Sequence, residues 1–247
     1  MEKHAVLTNL HALLTKLHAF GLALALVAAC GQEAPPPPPD ELEPYHPLVD
    51  GAWWEYEHTN WTERVTLTAA TFNGEPAFTM IDSPNPSDGL LSESIIVSLG
   101  GRVSRMTKDE YLGAGTDRVL RSSVEYGVGF TRFNEGWAEQ AVGFKESPNY
   151  VRVETPPSGV PKPGEDRRHT FEVVSLSDTV MTGAGPFDCI AIKRTKDWQA
   201  AADGVDLADA QTKTFWFARG VGKVQEKNEE TGSTEVLTAF DIPSAVN

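Results

Sequence analysis

A chain of 247 residues with 21 basic and 35 acidic side chains carries a formal charge of −14. That balance excludes a nucleic-acid binder, which needs a basic face, and it disfavours flat adhesion to an anionic lipid surface. The length suits one domain after a leader, because single β domains commonly run to ~200–250 residues.

Residues 1–29 read as a signal peptide. Lys3 and Lys16 supply the basic start, and no charge follows from Ala19 to Ala29. That run is about half of the ~20 residues that cross a bilayer, and it ends in small residues, as a secretory leader does. Residues 30–48 read as a tether. Pro35 to Pro39 favour an extended polyproline rod at ~3.1 Å per residue, and Glu33, Asp40, Glu41 and Glu43 keep the segment solvated. Residues 49–242 are expected to form a single β-rich domain, followed by a short tail at 243–247.

Within that domain the hydrophobic period is two. "RVTLTAA" sets Val65 and Leu67 against Arg64, Thr66 and Thr68; "YVRVE" sets Val151 and Val153 against Arg152 and Glu154. "SIIVSLGGRVSRM" reads as two strands joined at Gly100-Gly101, and "TKTFWFARGVGKVQEKNEETGSTEVLTAFD" as three, turning at Arg219-Gly220 and Thr231-Gly232. Trp54 and Tyr56 share one face, as do Phe215 and Phe217, and Ile190 and Ile192 are expected inside with them. One apolar and one polar face predicts antiparallel strands packed on one side and wet on the other. The fold class is therefore mainly β: a curved antiparallel sheet or open half-barrel with at most one or two short helices, built of roughly ten strands. "TKDEYLGAG" offers one helical turn. Residues 197–211, "DWQAAADGVDLADAQ", are the one segment able to cover an open sheet face. The hairpin glycines and β-branched residues favour a sheet that curls until its own side chains fill it.

Two resemblances add to this reading. Val27-Ala28-Ala29-Cys30 resembles the lipobox of bacterial lipoproteins. The resemblance implies a diacylglyceryl group on the sulfur of Cys30, cleavage before it and acylation (palmitate) of the new amino terminus. Gly31 in place of an aspartate implies sorting to the outer membrane. Three chains exceed the two signals that stable anchoring takes. "PLVDGAWWEY" and "WFARGVG" are similar to the opening strand and closing hairpin of uncharacterised secreted β-rich lipoproteins, which implies a half-barrel like those of periplasmic lipoprotein carriers.

Motifs for chemistry are few. With Cys30 lipidated, Cys189 has no disulfide partner and reads as a buried small hydrophobe. His46, His58 and His169 are far apart in sequence, so no zinc site is expected. Asp82, Asn85 and Asp88 could offer oxygens to calcium, but a proline turn explains them better. Asp203, Asp206 and Asp209 fit a solvated face. Glu135 and Glu139 flank Trp137, the nearest approach to a carboxylate pair. The expectation is a membrane-anchored envelope lipoprotein without enzymatic activity, cofactor, metal or nucleic acid. It is joined to the membrane through Cys30 and binds an envelope protein or a ligand. The alternatives are a carrier for a lipid or other apolar ligand, and a cell-surface hydrolase.

Overall fold

The computed structural model describes residues 43–113, 115–198 and 211–244, all within the unit Glu43–Asn247. The signal peptide, Cys30, the proline run and most of 197–211 lie outside the described residues. Thirteen strands follow in chain order: β1 (Trp53–Glu57), β2 (Thr62–Phe72), β3 (Glu75–Asp82), β4 (Leu90–Leu99), β5 (Arg102–Leu112), β6 (Val119–Asn134), β7 (Lys145–Glu146), β8 (Asn149–Thr155), β9 (Glu165–Thr182), β10 (Gly185–Trp198), β11 (Thr212–Ala218), β12 (Gly222–Asn228) and β13 (Thr234–Asp241). No α-helix occurs among the described residues. Short 3-10 turns span Gly115–Asp117 and Glu135–Glu139. The stretch read as a helical turn at 107–112 is instead the end of β5.

Neighbouring strands are antiparallel, and the first and last meet: Trp54 pairs with Phe240 and Tyr56 with Leu237. At the other side of the sheet, β10 pairs with β9 as well as with β11. The result is a closed barrel of 12 strands, with the two-residue β7 laid on β9. This corrects the open half-barrel. Closure depends on which two edges meet, and strand periodicity within one hairpin carries no information about that. It also removes free edges, which are pairing hazards. Gly100 and Gly101, with φ of 57° and 77°, form the two-residue turn between Leu99 and Arg102. That pair of positive φ values is what a type I′ hairpin needs.

The strand registers read from sequence hold for the aromatic positions. Trp54, Tyr56, Phe215, Phe217, Ile190 and Ile192 are all buried in the core. Residues 43–48, assigned to the tether, instead lie against one end of the barrel. There Tyr45 and Leu48 pack on the core, and Gly220 N donates to Pro44 O at 2.9 Å. The Glu135–Glu139 turn sits at the same end. Its Glu135 carboxylate accepts from Tyr45 N and His46 N, both at 3.1 Å.

Candidate ligand site in the barrel lumen

Each inward-facing row changes character along its strand. β10 runs Ile190, Ile192, Arg194, Lys196. β9, read from the same end, runs Val173, Phe171, His169, Arg167. β2 runs Leu67, Val65, Glu63; β11 runs Phe217, Phe215, Lys213; β13 runs Leu237, Glu235. The apolar ends of these rows form a floor. There Phe133 packs 4.5 Å from Phe217, and Trp137 packs 4.8 Å from Phe171. Trp137 is buried, and its Nε1 donates to Glu146 Oε2 at 2.8 Å. Burial works against charge on Glu146, but donors from Arg102 and Trp137 outweigh it and hold the carboxyl below its usual range. The floor is packed by its own side chains except for a pocket of about 100 Å³ lined in part by Trp54, Val65, Leu67 and Met80.

Above the floor the lumen is open and charged. A cavity of about 390 Å³ is lined by Arg105, Lys108, Arg132 and Arg152, by Arg194, Lys196 and Lys213, and by a single carboxylate, Glu226. The smaller pocket in the floor runs beneath Tyr56 and Asp82 and shares Arg105 and Arg132 with this larger cavity. Seven cations against one carboxylate is the reverse of the chain's own balance of 21 to 35.

The interior carboxylates already have partners. Lys223 bonds both Glu235 and Glu226, and Lys213 also bonds Glu226. Burial works against charge on Lys223, yet Glu235 and Glu226 outweigh it and push its pKa up. Burial likewise opposes ionisation of Glu226, but Lys223 and Lys213 hold it well below the usual carboxylate range. Burial and the neighbouring Glu63 push Asp82 up, toward its neutral form. Nearer the rim, Lys108 bonds Glu110 at 2.7 Å and Arg152 bonds Glu154 at 2.8 Å.

Three arginines remain. Arg105, Arg132 and Arg194 make no ion pair with an acid among the described residues, and the Nε of Arg105 and of Arg194 is buried without an acceptor. Arg194 is held by rings, its guanidinium 4.7 Å from the Phe215 centroid and 5.5 Å from that of Phe130. Burial first, then Arg105, lowers the pKa of Arg132 to about 10; burial also lowers that of Arg194, against the attraction of Glu226 and with a smaller push from Arg105. Burial and Arg194 bring Lys196 down to about 8. Burial and the same arginine push His169 down to about 3, so His169 is neutral and shares a 3.1 Å hydrogen bond with the Tyr150 hydroxyl.

Arg132 reaches the lumen through a defect in the sheet. Val103 pairs with Phe133 and Ser104 with Thr131, which leaves Arg132 as the extra residue of a bulge. Bulges re-aim side chains in this way. Next to it Gly129 has φ of 92°, and a Cβ there would lie 2.9 Å from Ser104 Cβ. Only glycine fits that position without a shift.

The residues singled out from sequence fall elsewhere. Asn85 accepts from Ser87 N and Asp88 accepts from Leu90 N, as in hydrogen-bonded turns, whereas Asp82 faces the lumen. Glu135 caps backbone and Glu139 is exposed. Cys189 is buried and its thiol is pushed up to about 12, by burial and then Asp178. His58, Glu63 and Glu235 have ligand atoms within 4.8 Å of one another, a juxtaposition that sequence separation hid. The Lys223 ammonium already neutralises Glu235 there. The lumen arginines were missed because charged positions on alternating strands were assigned to solvent. On β8 the assignment is inverted: Tyr150 and Arg152 line the cavity, and Val151 is 41% exposed outside. A cation in step with two buried residues, as in Ile190-Ile192-Arg194, was the available signal.

No protein-family model matches the chain, and no curated protein sequence matches it. Two solved structures share a partial likeness. One is described as a "putative lipoprotein" from Parabacteroides distasonis, at 12% identity and a TM-score of 0.45, covering 81% of this chain and 100% of that one. The other is described as a "putative exported protein with YmcC-like fold" from Bacteroides fragilis, at 12% identity and a TM-score of 0.42, covering 81% of this chain and 99% of that one. At such scores neither likeness bears on function.

Proposed function

We propose that this chain is an outer-membrane lipoprotein, held by lipid on Cys30, whose barrel binds a water-soluble ligand without altering it chemically. The observation that carries the binding role is the open cavity of about 390 Å³ above a largely packed floor. A lumen lined by convergent polar groups and aromatic rings is where a closed barrel holds a small ligand. The carrier for an apolar ligand draws little support from this lumen, because the cavity reaching its apolar part is only about 100 Å³ and its wider part is cationic. A hydrolytic role draws little support: Glu226, the carboxylate of the larger cavity, is engaged by Lys213 and Lys223, and His169 shares a hydrogen bond with Tyr150. The anchor is supported by Val27-Ala28-Ala29-Cys30 after an uncharged run.

Extraction of the full-length protein from purified membranes, followed by mass spectrometry of what it releases, tests both parts. The expected result is a polar small molecule at near-stoichiometric yield and a diacylglyceryl modification on Cys30. A stoichiometric phospholipid or fatty acid bound noncovalently would restore the carrier reading. Continued membrane partitioning of Cys30→Ala would refute the anchor.

A further inference from the structure

We infer that the ligand of this lumen is a small anion carrying two or more oxyanion groups, phosphate or carboxylate, gripped by Arg105, Arg132 and Arg194. The inference rests on the reading that the barrel binds a ligand, and it names the chemistry of that ligand.

Three observations converge. First, the Nε donors of Arg105 and Arg194 are buried without an acceptor, and none of the three arginines forms an ion pair with an acid among the described residues. Of the carboxylates around them, Glu226 is bonded by Lys213 and Lys223, Glu235 by Lys223, and Asp82 is biased toward its neutral form. Half-buried charges without ion-pair partners are costly to keep dry, and a folded protein normally pairs them or leaves them to a ligand or water. Second, the guanidiniums are enclosed together. Arg105 and Arg132 line both cavities, Arg194 lines the larger one, and the charges of Arg105 and Arg194 both depress the proton affinity of Arg132. One singly charged group would leave two of the three uncompensated, so the arrangement suits a multiply charged anion. Third, the side chains are positioned rather than loose. Arg194 is packed over Phe130 and Phe215, and Arg132 is aimed inward by its bulge. A planar guanidinium fork fixed in this way matches the geometry of a phosphate or carboxylate, with two parallel N–H donors to two oxygens. The wider cavity leads from this cluster past Lys196 and Lys213, which extends the cationic wall for further anionic groups.

A site of this kind predicts opposite signs for two measurements. Arg132→Gln removes an uncompensated like charge, so the ligand-free protein should be at least as stable as the parent, read by its melting temperature. The same change should weaken anion binding. Calorimetric titration of the full-length protein with pyrophosphate and with citrate supplies the second measurement and separates phosphate from carboxylate recognition. At least one probe should bind one-to-one and raise the melting temperature. Its affinity should fall at least tenfold in both Arg132→Gln and Arg194→Gln, and stay unchanged in Arg121→Gln, which alters an exposed arginine. Arg194→Lys, which keeps the charge but loses the planar fork, should fall between. Failure of both probes to bind, or equal binding by the parent and the two lumen variants, overturns the inference. If membrane extraction then yields a neutral polar ligand, the barrel-binding reading stands and only the anion chemistry is wrong. If it yields none, both are wrong.

Discussion

The floor and the lumen of this barrel are built by the same strands, yet they solve opposite problems. In the floor Phe133, Trp137, Phe171 and Phe217 interlock, and Trp137 Nε1 has its acceptor in Glu146. The lumen a few residues further along each strand keeps cations together without enough acids to pair them. The floor therefore sets the stability of the fold, while the lumen holds interaction capacity that the fold leaves unused.

The largest expected effect lies in the floor. Trp137→Ala empties a buried ring site and removes one of the donors to Glu146, so it should lower unfolding free energy by about 4 kcal/mol, read as a shift in the urea midpoint. A loss near zero would show that the floor is not the stabilising half. Next comes the one carboxylate that lines the larger cavity. Glu226→Gln leaves Lys213 and Lys223 without their shared counter-charge, and breaking a buried pair from one side costs about 3 kcal/mol. A stabilised Glu226→Gln would mean that the lumen is wet enough to screen its cations. The smallest effect is a pH slope. His169 has a folded pKa of about 3, against ~6.5 for an unfolded histidine. Between these values the unfolded chain takes up the proton and the folded chain does not, so stability falls as pH drops through that window. From pH 7 to 5 the loss is about 2 kcal/mol, at about 1.4 kcal/mol per unit below pH 6.5. His169→Gln should remove that share of the slope, and identical slopes in parent and variant would place His169 in contact with solvent.

Much of the floor was legible before any coordinates. Alternation identified the buried faces of Trp54, Tyr56, Phe215 and Phe217, and glycine pairs marked the turn at Gly100-Gly101. Period-two patterns report which side of a strand is apolar, and the floor is where apolar and inward coincide. Curling of the sheet was legible in its hairpin glycines, but neither the strands that close it nor the cavity left inside was, because the meeting of β1 with β13 joins residues such as Trp54 and Phe240 from opposite ends of the domain. The lumen was hidden for a different reason. Arg152 and Arg194 occupy inward positions, but a charge on an alternating strand is by default assigned to water, and nothing local distinguishes outside water from an enclosed space. Arg132 was harder still, since its bulge breaks the alternation on which such an assignment depends.

The seam between β1 and β13 has a consequence for timing. The other pairings of the barrel wall join strands that follow one another along the chain, interrupted only by the two-residue β7, so they can form as successive hairpins. The seam cannot. It requires the last strand to find the first across nearly the whole domain, and contacts at such sequence separation are the slow step of assembly. Until they form, the lumen has no continuous wall, and the arginines that line it are not yet gathered around a common centre. Binding competence is therefore acquired late and all at once, with the closing of one pair of strands.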